Sequence, residues 1–161
     1  MILGVIDHGS RAALRLLELA DKRSATILRE LVGAFRQFGL PRRIRVDNER
    51  CFTSRTMRIA LRCLGIRLQR TELHCPWQNG RIERLFGTLK SYLDRIAIGN
   101  GDDLRTKLVE FRCWYNHVRP HQHLAGRTPA ETWSGRSKAR GEPEWFSGWN
   151  GRLTGWYFAG T

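Results

Sequence analysis

Two acidic residues, Asp47 and Glu83, are the side chains in this sequence best suited to chemistry on a phosphate group. Asp47 follows a short strand-like run at residues 43–46, and Glu83 falls in the first turn of a helix-like run that begins near Gly80. An acid at the end of a strand and another on a facing helix can converge on hard divalent ions, which prefer oxygen ligands. Two such ions roughly 3.5–4 Å apart can stabilise both the attacking and the leaving oxygen of a phosphoryl transfer. The pair therefore suggests a metal-dependent phosphoryl-transfer site.

A structural role for each acid is also open at this point. An aspartate after a strand is often only a turn former, and a glutamate is favoured near the positive end of a helix. Arg81 and Arg84 bracket Glu83, and Lys90 lies two turns further along the same flank of the helix. These cations either face a phosphate or stabilise the carboxylate, so the spacing of the two acids is weak evidence by itself.

The charge of the chain indicates a polyanionic partner. The net charge is +13 and the isoelectric point about 10.9, and 24 of the 28 basic residues are arginine, whose planar fork grips phosphate. Residues 36–90 hold thirteen Lys and Arg against four acids, which places a basic footprint around the acid pair. Nucleic acid is the partner this favours. The alternative is a basic protein kept soluble by its charge.

One predicted helix carries Arg55, Arg58 and Arg62 along one face. This face either binds the phosphates of a nucleic acid or is simply exposed to solvent.

The cysteine pattern argues against a secreted disulfide framework. The four cysteines form no C-x-x-C pair and follow no secretory signal, and no apolar run approaches the length of a membrane span. We therefore expect reduced thiols and a soluble, cytoplasmic protein.

Two weaker candidates for a functional site are a His74–Cys75 nucleophile pair and a zinc site. The zinc site would use Cys113, His117, His121 and His123. Structural contacts are the favoured interpretation for both groups.

The hydrophobic periodicity predicts an α/β fold with a mixed sheet flanked by helices. Ser24 and Ser54 are expected to cap two of the helices, and Thr128 is expected to open a capping box with Glu131. The predicted strands cover residues 2–6, 12–19, 43–46 and 66–73, although the composition of residues 12–19 also suits a helix. The predicted helices cover residues 24–38, 54–64, 80–96, a stretch from about 101 to 119, and 128–133.

The last part of the chain is predicted to form a separate region. From residue 134 the composition shifts to Gly, Ser and charged residues, typical of a linker, so we place a core at 1–133 and a linker with a hairpin at 134–161. Asn150-Gly151 between aromatic-rich runs is a strong hairpin signal. These aromatic residues could stack on bases, although a small hydrophobic core or a self-association patch is favoured.

Three motifs, in order and at characteristic separations, give the chain a family resemblance. From about residue 2 to residue 133 it resembles the integrase core shared by retroviral integrases and bacterial insertion-sequence transposases of the DDE class, most closely the bacterial branch. The matching motifs are Asp47-Asn48 followed by Phe52, residues 79–84 with 88–90, and residues 115–121 with Leu124 and residues 126–131. The 35 residues between Asp47 and Glu83 are the interval of that family.

The resemblance implies an RNase H-like fold and DNA strand transfer by a 3′-hydroxyl, with Mg²⁺ or Mn²⁺ in a two-metal site. Asp47 and Glu83 would be catalytic metal ligands, and Lys90 would contact the DNA end. Further DNA-binding candidates are Asn79, Arg81, Arg84, Arg55, Arg58 and Arg62. The implied DNA partners are transposon ends and target DNA. The implied protein partner is either further copies of the chain or a full-length transposase. The implied location is the bacterial cytoplasm, in association with the nucleoid.

The chain departs from the family pattern at the first acid. Asp7 resembles a second-strand aspartate that is followed by Ser-Arg and is not catalytic in the family, and only 39 residues separate it from Asp47. It is thus a doubtful third member of the site, with a turn residue as the alternative. Glu49 and Cys51 also stand where the family usually has Gly and Glu.

The pattern places the family's first acid before Met1, so we expect an N-terminally truncated core with an unpaired sheet edge and weak metal binding. The alternative function is a non-catalytic DNA-binding fragment that regulates or inhibits a full-length transposase.

Overall fold

The computed structural model of the protein describes residues 1–72, 75–135 and 141–158. This part of the chain contains six strands and six helices, with 3-10 turns at Pro76–Gln78 and Gln122–Leu124 and a π-helical turn at Trp114–Val118. The strands are β1 (Ile2–Ile6), β2 (Ala13–Glu18), β3 (Arg43–Val46), β4 (Arg67–Arg70), β5 (Pro143–Gly148) and β6 (Leu153–Phe158). The helices are α1 (Ser24–Phe38), α2 (Arg50–Thr53), α3 (Arg55–Cys63), α4 (Gly80–Leu93), α5 (Gly101–Cys113) and α6 (Pro129–Trp133).

The strands form three two-stranded sheets. β1 pairs antiparallel with β2, β3 pairs parallel with β4, and β5 pairs antiparallel with β6. The predicted α/β class with parallel and antiparallel strands is confirmed, and the strands of the described residues are divided among three small sheets. Within the described residues no strand bridges β1 and β3, so the β1–β2 and β3–β4 pairs stay separate.

Most of the predicted elements are confirmed, with differences at their ends. β4 is shorter than predicted, and Leu73 and His74 lie outside the described residues. α4 ends at Leu93, although Ile96 beyond it still packs against the core. The helix expected to stop before Pro120 is α5 followed by the π-helical turn, which closes with Arg119 N–H donating to the carbonyl of Trp114 at 2.9 Å.

The helix caps agree with prediction at two of three sites. Ser54 Oγ accepts from the backbone N–H of Met57, and Thr128 forms the predicted capping box with Glu131. Ser24 does not cap α1, because its hydroxyl donates instead to the carbonyl of Cys51 at 2.7 Å. This bond fixes the start of α1 beside the segment that follows β3, a tertiary contact that local capping rules do not anticipate.

The hydrophobic core consists of two clusters. The first cluster joins α4, α5 and the C-terminal hairpin around Leu85, Leu108 and Phe111. The second cluster joins α1 and α3 around Ile27 and Met57. β1 contributes to both, since its alternate side chains point to opposite faces of the strand.

The C-terminal hairpin forms as predicted and is anchored in the first cluster. Trp149 and Leu153 are only 5% and 0% exposed. The Trp149 indole N–H donates to the carbonyl of Lys107 at 3.0 Å, and its backbone N–H donates to the Glu110 carboxylate at 3.0 Å. These side chains serve as core residues, and residues 136–140 of the expected linker lie outside the described part of the chain.

No helix in the described residues is long and apolar enough to cross a membrane.

Candidate active site

Asp47 is positioned by the end of β3 and by Thr71, which follows β4. The backbone N–H and the hydroxyl of Thr71 both donate to the carbonyl of Val46 at 3.0 Å. The Asn48 side-chain amide donates to the Thr71 carbonyl at 2.9 Å, which fixes the residue after Asp47. Asp47 itself is half-buried, and its Oδ1 accepts from the Glu49 N–H at 3.0 Å. The second carboxylate oxygen accepts no hydrogen bond from the residues that the structure describes, so it is available to a ligand.

Glu83 is positioned by the first turn of α4. Its backbone N–H donates to the carbonyl of Asn79 at 3.1 Å, while Leu85 and Leu89 on the opposite flank are buried in the first cluster. That packing leaves the Glu83 side chain exposed. Asn79 also donates from its side-chain amide to the Thr71 hydroxyl at 3.4 Å. Thr71 therefore connects the loop that carries Asp47 to the start of the helix that carries Glu83.

The two acids line the same cavity. The cavity is open to solvent, has a volume of about 1060 Å³ and is lined by residues of β1, β3, α1 and the first turns of α4, with Asp47 and Glu83 both in its wall. Two carboxylates separated by 35 residues of sequence thus share one solvent-accessible space. Such a pair can supply oxygen ligands to a hard divalent cation.

Asp7 lines the same cavity and holds a turn through one carboxylate oxygen. Its Oδ2 accepts from the N–H of Gly9 at 3.0 Å, from the N–H of Ser10 at 2.7 Å and from the Ser10 hydroxyl at 2.8 Å. These bonds to one carboxylate oxygen fit the alternative of a turn residue. Across residues 1–72, 75–135 and 141–158, no three His, Cys, Asp or Glu side chains come together to hold a metal ion. The candidate centre in this part of the chain is therefore the Asp47–Glu83 pair.

Three guanidinium groups form an arginine cluster, consisting of Arg11, Arg45 and Arg81, beside this cavity. Arg81 donates to the carbonyl of His8, and Arg45 donates to the carbonyl of Gln78 at 3.1 Å. Burial, followed by repulsion from Arg11 and Arg45, lowers the pKa of Arg81. Partial burial, followed by the three arginines, also lowers the pKa of His8, so a neutral imidazole is favoured there. The mouth of the cavity is an electropositive surface suited to phosphate.

Sequence reasoning identified Arg81 but missed Arg11 and Arg45. Both were visible as part of the overall charge, but no local motif distinguished them from the other arginines. The positions of Arg45 and Arg81 in the cluster depend on their contacts with Gln78 and His8, which join residues far apart in the chain.

The remaining predicted DNA-binding side chains lie outside this cavity. Arg84 and Lys90 are exposed on α4. Arg55, Arg58 and Arg62 are exposed on α3, opposite the buried Met57 and Leu61. Within the described ranges, none of these five cations forms a salt bridge to an acid.

The weaker zinc candidates have structural surroundings. The His121 ring packs edge-on against Tyr115 with centroids 4.8 Å apart. Burial, with a contribution from Arg119, lowers the pKa of His121 to about 4. Burial also lowers the pKa of His117 and raises the pKa of the Cys113 thiol. In the part of the chain that the structure describes, none of these residues belongs to a metal-binding cluster.

The proposed His74–Cys75 pair cannot be compared directly, because His74 lies outside the described residues. Desolvation, with Glu72 beside it, raises the pKa of the Cys75 thiol, which disfavours the nucleophilic thiolate.

Comparison with known proteins now adds a family match for part of the chain. Residues 64–129 match the family model described as "Integrase core domain". The matched segment contains Glu83 and the stretch from Tyr115 to Pro129, and it does not contain Asp47.

The structure is similar to solved integrases across most of its length. One is a chain of the simian T-cell lymphotropic virus intasome in complex with PP2A regulatory subunit B56 gamma. The TM-score is 0.67 and the sequence identity 17%, and the match covers 98% of this chain and 64% of that chain. The HTLV-2 integrase catalytic core domain in complex with magnesium, a trimeric form, has a TM-score of 0.61 at 15% identity over 82% of this chain and 91% of its own. The BIV integrase catalytic core domain has a TM-score of 0.62 at 18% identity over 83% of this chain and 85% of its own.

These similarities define the fold class. The chain has the α/β, RNase H-like fold of retroviral integrase catalytic cores, which confirms the fold implied by the sequence resemblance.

Proposed function

We propose that this protein acts in DNA integration or transposition, as a metal-dependent strand-transfer core of the bacterial insertion-sequence type. The observation that carries the proposal is that Asp47 and Glu83 line one cavity in a fold shared with integrase catalytic cores. The match of residues 64–129 to the integrase core domain supports the same assignment. The bacterial branch is supported by the sequence signature at residues 115–131.

The cofactor of this proposal is Mg²⁺ or Mn²⁺. Asp47 and Glu83 would hold the ion through carboxylate oxygens, the donor type that both ions prefer. When bound, a divalent ion stabilises the charge that develops on phosphate oxygens and activates the attacking hydroxyl. The magnesium in the HTLV-2 core supports the use of a divalent metal by this fold. Two carboxylates fit one such ion, and a complete two-metal site needs further ligands.

DNA would be held by the cations around the cavity. The arginine cluster and Arg84 offer guanidinium groups to backbone phosphates, and Lys90 presents an ammonium two turns along α4 from Glu83. Asn79 would act mainly by holding the start of α4 through Thr71. The intasome and trimeric neighbours support a homo-oligomer on DNA, or assembly with a full-length transposase, as the working form.

The test is strand transfer on short duplex ends with Mn²⁺, comparing the unmodified chain with Asp47→Asn and Glu83→Gln. Each substitution keeps the size of the side chain and removes the ligand charge, so we expect each to lower the rate by at least about 100-fold, more than loss of a supporting group around a metal costs. Asp94→Asn is the matched control, because Asp94 is an exposed acid at the other end of α4. Activity that survives both cavity substitutions would overturn the assignment.

A second candidate is a non-catalytic DNA-binding fragment that regulates a full-length transposase. The observation that favours it is that, in the described residues, no three His, Cys, Asp or Glu side chains come together to hold a metal ion, while one carboxylate oxygen of Asp7 holds a turn. Fluorescence anisotropy with a labelled duplex would distinguish the candidates. Tight binding in EDTA that weakens steeply with salt, together with no strand transfer by the unmodified chain, would establish this second function.

A further inference from the structure

Arg119 follows the π-helical turn, and its guanidinium group lies against three rings. The Cζ atom of Arg119 is 5.9 Å from the ring centroid of Trp114 and 5.8 Å from that of Tyr115. Cations at such distances from an aromatic face are attracted by the ring. Its Nη1 is 3.3 Å from Nε2 of His121, and because a guanidinium group only donates, the imidazole nitrogen accepts. The Arg119 side chain is therefore held in place although it is only half-buried.

The rings that hold Arg119 are themselves fixed. Trp114 and Tyr115 are buried in the first cluster, and the His121 ring makes a hydrogen bond to the backbone of Tyr115. Burial, followed by the charge of Arg119, lowers the pKa of His121 to about 4, so the imidazole is neutral at pH 7. A neutral ring has one nitrogen free to accept, which is the role of Nε2 here.

Two further arginines bring their charges to the same place. Burial raises the pKa of Tyr115, and three nearby cations oppose the rise. These cations are Arg11, Arg84 and Arg119. The pKa of His121, lowered first by burial, responds to the same three charges. Within the ranges that the structure describes, none of the three arginines forms a salt bridge to an acid. Their charge is thus available to an anion from outside the chain.

Arg11 occupies its position at a conformational cost. Its φ is 65°, in the left-handed region where glycine or asparagine is usual. The Arg11 N–H donates to the carbonyl of Asp7 at 3.1 Å, and the Asn116 side chain bonds the backbone N–H and carbonyl of Ala13 at 2.8 and 3.0 Å. Asn116 therefore ties the segment that carries Arg11 to the turn that precedes Arg119. A non-glycine residue in this conformation is the kind of backbone outlier that clusters at functional sites.

The three arginines continue the electropositive surface at the mouth of the cavity. Arg11 belongs to the arginine cluster, and Arg84 follows Arg81 by three residues on α4, which makes the two side chains neighbours on the helix surface. The surface thus extends from the cavity mouth over α4 to the π-helical turn. The net charge of +13 favours a polyanion over an isolated carboxylate as its ligand.

We infer that Arg11, Arg84 and Arg119 bind a backbone phosphate of DNA outside the cavity. His121 is a positioning residue that holds Arg119 for this contact. Guanidinium groups donate paired hydrogen bonds to phosphate oxygens, and a backbone contact of this kind fixes the register of the duplex without reading its sequence. The inference rests on DNA as the partner in the proposed function, but it requires neither a metal ion nor strand transfer.

The test is binding of a fluorescently labelled duplex, measured by anisotropy in EDTA at several salt concentrations. Arg119→Gln removes one phosphate contact, so the slope of log affinity against log salt should fall by about 0.9, equally for two duplexes of unrelated sequence. Arg119→Lys keeps the charge and should keep the slope, with weaker binding because the paired hydrogen bonds are lost. The matched control is Arg152→Gln, which removes an exposed arginine from the hairpin turn and should leave the slope unchanged.

The positioning role of His121 is tested by removing and restoring its acceptor. His121→Leu leaves Arg119 without this partner and should weaken duplex binding about threefold to tenfold. His121→Gln keeps a side-chain oxygen that can accept from Arg119 and should bind like the unmodified chain. Urea unfolding establishes that each variant is folded under the assay conditions. Equal losses of affinity in the two variants would overturn the positioning role.

A measurement on the unmodified chain tests the same contact without any substitution. The NMR signal of the Arg119 Nε–H should shift when the duplex is added and return as salt displaces it. No shift, or equal slopes for Arg119→Gln and Arg152→Gln, would overturn phosphate binding at Arg119. If these results are as expected but the unmodified chain performs no strand transfer, the proposed function fails and the phosphate site stands. If strand transfer occurs and Arg119→Gln behaves like Arg152→Gln, the site fails and the proposed function stands.

Discussion

Thr71 is the residue through which the two halves of the candidate site contact each other. It is 9% exposed, its hydroxyl donates to Val46 and accepts from Asn79, and its carbonyl accepts from Asn48. It touches neither acid, so its role is to position them. Replacing this hydroxyl with a methyl group removes one bond to the Val46 carbonyl and takes away the acceptor of the Asn79 amide.

Thr71→Val should therefore lower the free energy of unfolding by about 1–2 kcal/mol. It should also lower strand transfer while leaving DNA affinity unchanged, because no phosphate contact is removed. Urea denaturation and the transfer assay measure the two effects. The matched control is Thr106→Val on the exposed face of α5, where the hydroxyl donates only to the carbonyl of Asp102. Equal stability losses for the two variants would refute a positioning role for Thr71.

His121 should give the protein a pH-dependent stability. Burial and then Arg119 lower its pKa in the folded state to about 4, below the ordinary value of 6.5. The unfolded chain therefore binds the proton first as the pH falls, so the free energy of unfolding should fall between pH 6.5 and pH 4 and then level off. After a discount for partial exposure the contribution is roughly 1–2 kcal/mol.

The measurement for His121 is the difference in unfolding free energy between the unmodified chain and His121→Gln across that range. Subtraction removes the contributions of His8 and His117, whose pKa values are also lowered and act in the same direction. A difference that does not vary with pH would contradict the buried, neutral imidazole.

At the scale of elements, the C-terminal hairpin is part of the core. Leu153 lies in the first cluster, and the Trp114 indole N–H donates to the carbonyl of Thr154 at 3.1 Å. The hairpin therefore supports α5, which in turn packs against β2. Turn chemistry predicted the hairpin, but burial of Trp149 and Leu153 depends on the surface that α4 and α5 present together.

Leu153→Ala should destabilise the protein by about 2–5 kcal/mol, the usual cost of a cavity left by a fully buried leucine. Leu40→Ala removes the same atoms from a residue that is 61% exposed and should cost less than about 0.5 kcal/mol. Thermal or urea unfolding gives both values. Similar small losses for the two variants would mean that the hairpin is not anchored in the core.

At the scale of the whole molecule, the positive charge should appear as a salt-dependent affinity for DNA. Removing one cation from a DNA phosphate lowers the slope of log affinity against log salt by about 0.9. Arg84→Gln with Lys90→Gln should therefore reduce the slope by roughly 2 if both cations bind phosphates. The matched control, Arg23→Gln with Arg105→Gln, removes the same charge from cations near Asp21, Glu18 and Asp102. Equal reductions in the two double variants would show that only net charge matters.

The sequence allowed prediction of the elements with strong periodicity, the hairpin turn, two of the caps and the fold class. It did not predict the division of the sheet, because strand pairing depends on which edges meet in space. The same limit applies to the bond between Ser24 and Cys51 and to the arginine cluster, which join residues far apart in the chain. At the site, the spacing of Asp47 and Glu83 suggested a pair, whereas the shared cavity and the link through Thr71 required the structure.

If Asp47 and Glu83 act together on DNA, a double-substitution cycle in the Mn²⁺ strand-transfer assay tests their cooperation most directly. Residues that act as one unit show non-additive losses. Asp47→Asn, Glu83→Gln and the double variant should all fall to the same residual rate, with circular dichroism confirming that each is folded. Retained transfer in either single variant, or losses that multiply in the double variant, would contradict a shared metal centre.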